Sequence, residues 1–139
     1  MSLHLIKLSV GTEDLDDLRA WQAERLRKTG HVFHRTRMMP RRRDELLAGG
    51  SIYWVIRGQV TGRQRLIGIE RVVDAEGRPD THLMLDSRVI PTLPRPHRPF
   101  QGWRYLAAKD APPDLTDLPE GARHLPPAMA AELRELGLL

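Results

Sequence analysis

The chain of 139 residues has no cysteine, which excludes a disulfide scaffold, a thiolate zinc site, an iron–sulfur cluster and a cysteine nucleophile. It has no apolar run near the ~20 residues that a membrane-crossing helix needs, so no membrane partner is expected. The opening MSLHLIKLSV lacks the basic start, long apolar middle and small-residue cleavage site of a secretory leader, and a cytoplasmic location is expected. Gly-x-Ser-x-Gly, Walker-type and Gly-x-Gly-x-x-Gly motifs are missing, so a nucleophile elbow, P-loop hydrolysis and dinucleotide binding have no support, and no cofactor is expected. Aromatic residues make up only 5% of the chain, yet Phe100, Trp103 and Tyr105 fall within six residues of one another.

What is present suits one packed domain over residues 1–139: 40% of residues are apolar and 29% charged, which argues against disorder throughout. The net charge of +4 is unevenly spread. Residues 1–30 sum to 0, residues 31–104 to +7 and residues 105–139 to −3. Arginine outnumbers lysine 19 to 3, which the base composition of the coding DNA can produce, but base composition does not decide where the charge falls. The placement therefore points to an anionic partner for the middle of the chain.

Alternation of Ile6, Leu8 and Val10 with Lys7 and Ser9 predicts a first strand over 3–10. Thr12 is placed to N-cap a helix over 13–29, with Glu13, Asp14, Asp16 and Asp17 at its start and Arg25, Arg27 and Lys28 before the stop at Gly30. Leu15, Leu18, Trp21 and Leu26 form its apolar stripe. Residues 31–39 read as an extended basic segment, and Pro40 opens a short helix over 41–48 that Gly49 and Gly50 end. SIYWVI is the clearest strand; GQVTG reads as a turn, RQRLIGIERVVD as a second long strand with a bulge at Gly68, and 81–86 as a third. Prolines 91, 94, 96 and 99 predict an extended surface loop over 91–99, and 110–127 reads as irregular. Met129, Leu133 and Leu136 predict a C-terminal helix.

HLIKL, TRMMPRR followed by ELLAGGSIYWVI, RQRLIGI, and FQGWRYL followed by DAPPDL resemble a bacterial family of about this length known only as a domain of unknown function. The likeness covers nearly the whole chain and brings no established activity with it. Residues 35–73, a basic strand, a short helix ending in Gly-Gly, then SIYWVI and RLIGIERV, resemble the layout of PUA-like barrels. That resemblance implies recognition of RNA or modified bases. The expected fold class is therefore α+β: a mixed, mostly antiparallel sheet or small PUA-like barrel, with a long helix after the first strand and a helix at the C-terminus.

Histidines 31 and 34, with His82 or His97, would suit a metal if they lay on a helix, but an extended stretch turns the pair to opposite faces, and no metal is expected. Asp44, Glu45 and Glu70 are carboxylates of the middle segment that could move a proton, although Glu45 on a short helix is expected to face solvent and Glu70, lying between Arg65 and Arg71, ordinarily forms a surface ion pair. Arg35 and Arg37 share one face of an extended segment, Arg41, Arg42 and Arg43 follow within a turn, and Arg63 and Arg65 repeat the two-residue spacing. Guanidiniums that converge suit phosphate oxygens, and Trp103 and Tyr105 around Arg104 offer faces for stacking bases. The same residues also read as a solvated face and a core plug. The leading expectation is a non-catalytic module for RNA or another phosphate-bearing ligand such as a nucleotide, with no catalytic residue. The alternatives are a small enzyme acting on a nucleotide or phosphorylated metabolite, and a homo-oligomer or partner-interaction domain using FQGWRYL.

Overall fold

A computed structural model describes residues 2–117. The order is β1 (Leu3–Leu8), α1 (Leu15–Thr29), β2 (Phe33–Thr36), α2 (Arg43–Leu47), β3 (Ser51–Ile56), β4 (Gln59–Val73), β5 (Pro79–Leu85), β6 (Ile90–Pro96) and β7 (Trp103–Ala107). The fold is α+β, with one seven-stranded sheet in the order β2-β5-β4-β3-β1-β7 and β6 paired to β4. Only β1 and β3 run parallel; the other pairs are antiparallel. The sheet is open between β2 and β7, so the sheet, not the closed barrel, is the form adopted. The C-terminal helix expected around Met129–Leu136 and residues 118–127 of the irregular stretch lie outside the described residues.

Strand β4 organises the sheet because it is long enough to serve three partners. Its first half pairs with β3 and with β6, and its second half, Leu66–Val73, pairs with β5. Bulges near Thr61 and Ile67 separate these regions and let the strand bend. Buried side chains occupy both faces of the central strands. Leu5, Ile52, Trp54, Leu66, Ile69 and Leu83 belong to the larger cluster, while Ile6, Tyr53, Val55, Val60 and Leu106 form a smaller one on the alternate positions.

Several boundaries differ from expectation for identifiable reasons. Strand β1 ends at Leu8 and Val10 is 88% exposed, since the chain turns away from the sheet before reaching it. The N-cap of α1 is Asp14, whose carboxylate accepts the Asp17 N–H at 2.8 Å; the Thr12 hydroxyl donates to the Ser9 carbonyl instead. The C-cap is as expected, with Gly30 at φ 81° and its N–H on the Leu26 carbonyl. The buried side of α1 is set by Leu18 and Gln22, leaving Trp21 and Leu26 exposed. The β3–β4 turn is Arg57-Gly58, both at positive φ, and residues 59–62 of the predicted turn GQVTG lie inside β4. Residues 90–96 form strand β6 instead of a loop. Proline is tolerated there because β6 is a marginal strand that needs no full ladder on both edges. Helix α2 occupies 43–47, and Gly50 follows it where a Cβ would lie 2.2 Å from the Leu3 carbonyl oxygen and 2.5 Å from that of Leu46. Only glycine lets α2 close onto β1 there.

Gln22 reaches a buried partner. Its amide nitrogen donates to Gln64 Oε1 at 2.7 Å, and Gln64 Nε2 donates back to Gln22 Oε1 at 2.6 Å. Gln64 Oε1 also accepts the Trp54 indole N–H at 2.8 Å, and Gln64 Nε2 donates to the Asp86 carbonyl at 3.0 Å. Each polar group missing from such a network leaves a buried partner without one, at about 1–3 kcal/mol each. Gln64→Leu orphans both Trp54 and Gln22 and is expected to cost roughly 2–4 kcal/mol in urea unfolding. Adding Gln22→Leu should recover part of that loss, and a double variant at the additive sum would contradict the coupling.

Candidate functional site

The arginine-rich stretch 35–43 is held largely by intramolecular partners. Arg35 on β2 pairs with the Asp80 carboxylate, whose side chain is 2% exposed. Arg37 reaches Asp74 in the β4–β5 turn at 3.0 Å. Arg42 donates to Glu45 at 2.9 Å, and Arg43 to the Ile69 carbonyl at 2.9 Å. Arg41 is exposed and makes no hydrogen bond or ion pair among the described residues. Arg104, on β7, lies over the Phe100 ring at 5.1 Å.

The aromatic segment divides. Trp103 is 8% exposed and its indole N–H donates to the Met38 carbonyl at 2.9 Å, so it plugs the opening between β7 and the chain after β2. Its faces are not available for base stacking, because burial serves the core first. Tyr105, 36% exposed, packs edge-on to Trp103, and its hydroxyl accepts the Arg42 backbone N–H at 3.1 Å.

Arg63 and Arg65 are brought together, with Arg88 as a third guanidinium, around a cleft of about 290 Å³ that Gly49, Asp86 and Ile90 complete. Strand alternation explains the pairing: Gln64 faces inward, so its neighbours on β4 face the other way. Arg63 is fixed by two bonds to Asp114, at 2.7 and 2.8 Å, and by one to the Ser51 hydroxyl at 2.8 Å. Its charge, after burial, helps to lower the pKa of His4 below the ordinary value. Arg65 and Arg88 have no ion-pair partner among the described residues. The Asp86 carboxylate instead accepts the Arg88 backbone N–H at 2.8 Å. Sequence spacing did not reveal Arg88. The β4–β5 hairpin register, which brings the Asp86 N–H to the Arg65 carbonyl at 3.0 Å, is the signal that could have found it. Arg37, Arg41, Arg43 and Arg104 do not line this cleft.

A second concavity, about 380 Å³, opens between the end of β1, α1, β2 and β3. Trp21, Phe33 and Trp54 wall it, and Lys7 and His34 also line it. The His34 imidazole stands edge-on to Trp54 at 5.3 Å, and its Nε2 is buried with no hydrogen-bond partner among the described residues. Burial first, then the positive charges of Lys7 and Arg25, lower its pKa to about 4. Burial also lowers the pKa of Lys7. No group of three potential metal ligands occurs among the described residues. Glu45 and Glu70 are exposed and line neither the cleft nor the recess.

Fold and site together define an α+β sheet protein with an arginine-lined cleft on one side of its longest strand and an aromatic recess under its long helix. The chain belongs to the family described as protein of unknown function DUF1489, whose model matches residues 5–139. No curated protein and no solved structure matches it. Among the described residues no helix is long and apolar enough to cross a membrane.

The histidine yields a pH prediction. The folded chain keeps His34 neutral down to about pH 4, whereas the unfolded chain protonates it near 6.5. Its neutral-state stability is complete above pH 6.5 and is lost as pH falls toward 4, because the unfolded state binds the extra proton. Between pH 7 and 4.5 the native chain should lose roughly 2–3 kcal/mol more than His34→Phe in urea titrations. Equal losses would refute the assignment.

Proposed function

We propose that the protein is a non-catalytic binding module for RNA or another phosphate-bearing ligand, with Arg63, Arg65 and Arg88 as its anion site. The observation that carries this is the cleft itself. Arg63 is pinned by Asp114 and Ser51, while Arg65 and Arg88 face the same space with no carboxylate partner among the described residues. A guanidinium offers paired N–H groups that match phosphate oxygens, and three in one cleft suit an extended anion better than a single small one. Among the described residues no histidine lines the cleft, and the carboxylate that does, Asp86, is engaged by the Arg88 backbone N–H, which favours a binding role over a nucleotide-processing enzyme. The FQGWRYL segment, with Trp103 buried, supports an internal packing role over a contact between copies. A cytoplasmic setting belongs to the same proposal.

Fluorescence anisotropy with a labelled single-stranded RNA of mixed sequence tests this. Binding at low salt should weaken as salt rises, and Arg65→Gln with Arg88→Gln should reduce affinity about tenfold and flatten the salt slope by roughly 1–2. Arg37→Gln with Arg104→Gln should change affinity by about twofold or less. Absence of binding at low salt, or equal losses from both pairs, would sink the proposal.

A further inference from the structure

The recess between β1, α1, β2 and β3 carries an inference that does not depend on the arginine cleft. Two polar groups in it are left in a costly state beside a half-exposed indole. The Trp21 indole is 51% exposed, with the Arg25 guanidinium over its ring. The Lys7 ammonium is partly withdrawn from solvent, lines the recess, and has no hydrogen bond or ion pair among the described residues. The His34 Nε2 is buried and unpartnered. A polar atom or charge withdrawn from water without a partner is ordinarily selected against, so Lys7 and His34 together point to an occupant that satisfies both.

Charge and shape define the chemistry of that occupant. Among the described residues no aspartate or glutamate lines the recess, and a second cation stands at its rim. The Arg25 guanidinium lies 4.1 Å from the Trp21 ring centroid and 4.6 Å from that of Phe33, and is anchored by a 2.9 Å bond to the Phe33 carbonyl. A cationic ligand would be repelled, and an uncharged apolar one would strip water from Lys7 without replacing it. The volume, about 380 Å³, falls within the ~300–1,000 Å³ of small-molecule pockets and near its lower end. Of the three aromatic lining residues Trp21 is the half-exposed one, Phe33 being stacked on His82 at 4.2 Å and Trp54 buried, so a planar guest has the Trp21 indole to lie against. The Gln22–Gln64–Trp54 bonds fix two of the lining residues before any ligand arrives.

We propose that this recess binds a planar aromatic anion of one or two fused rings, with its ring against Trp21, its negative group on Lys7, and a polar ring or substituent atom at His34 Nε2. The neutral imidazole can donate or accept there, so either a ring nitrogen or an N–H group serves. A nucleotide and an aromatic carboxylate share this chemistry, and the test separates them.

The test uses the full chain labelled with nitrogen-15, following the three indole N–H signals, assigned through Trp21→Phe and Trp103→Phe. Quinaldate and adenosine monophosphate are titrated in separate arms, with quinoline, adenosine and inorganic phosphate as counterparts. At least one anion should shift the Trp21 and Trp54 signals while Trp103 stays fixed, and its uncharged counterpart should bind about tenfold more weakly, the scale of one charge-assisted hydrogen bond. Lys7→Met, with a dispersed spectrum confirming that it folds, should abolish that preference. The arm that responds identifies the source. Three results would each overturn the proposal: neither anion moves Trp21 and Trp54, the uncharged ring binds equally well, or phosphate alone reproduces the shifts. Binding of adenosine monophosphate that leaves both indoles unmoved but shifts signals around Arg65 and Arg88 would overturn it while leaving the arginine cleft standing.

Discussion

Gln64 lies in the middle of β4 with no solvent exposure, and its amide joins parts of the chain that are far apart in sequence. Its oxygen accepts from Trp54 on β3 and Gln22 on α1, and its nitrogen donates to Gln22 and to the Asp86 carbonyl beyond β5. Burying two amides is unfavourable unless their donors and acceptors are matched, and here they match each other. That requirement fixes the rotation of β4 about its axis. It also sets which face of α1 packs inward, since Gln22 must meet Gln64.

Both candidate sites follow from that one orientation. With Gln64 directed inward, Arg63 and Arg65 are directed to the opposite face of β4, where the end of β5 brings Arg88 beside them. With Gln22 directed inward, Trp21 is left at the rim of the recess, and Trp54, held by its indole bond, forms part of the wall. The two sites therefore occupy opposite sides of the same strand and make different chemical demands. The cleft presents guanidiniums, and the recess presents the Trp21 indole with one ammonium and an imidazole.

Much of the fold was legible because alternation and helix punctuation report burial directly. SIYWVI, residues 63–73 of the long strand that follows it, the Gly30 stop and the α+β class are all where the pattern puts them. Features set by distant partners were not legible. A hydrophobic pattern discounts Gln22 and Gln64, since neither predicts that another amide will meet it. The prolines of β6 argue against a central strand but not against a marginal one. At the site, the two-residue spacing of Arg63 and Arg65 survived. Arg35, Arg37 and Arg42 were directed to Asp80, Asp74 and Glu45, two of which lie over 35 residues away. The +7 of the middle segment already counts those three carboxylates, so the pairs leave its total unchanged; what they change is where guanidiniums stand without a carboxylate, which among the described residues includes Arg65 and Arg88 in the cleft.

The central claim is that the anion site is the cleft on β4 and not the denser arginine stretch before it. The most direct measurement is a titration of inorganic phosphate into the nitrogen-15-labelled chain at low salt, following the guanidinium Nε–H signals. The account predicts saturable shifts at Arg65 and Arg88, with the signals of Arg35, Arg37 and Arg43 unmoved. Shifts confined to the 35–43 stretch, or none at Arg65 and Arg88, would contradict it.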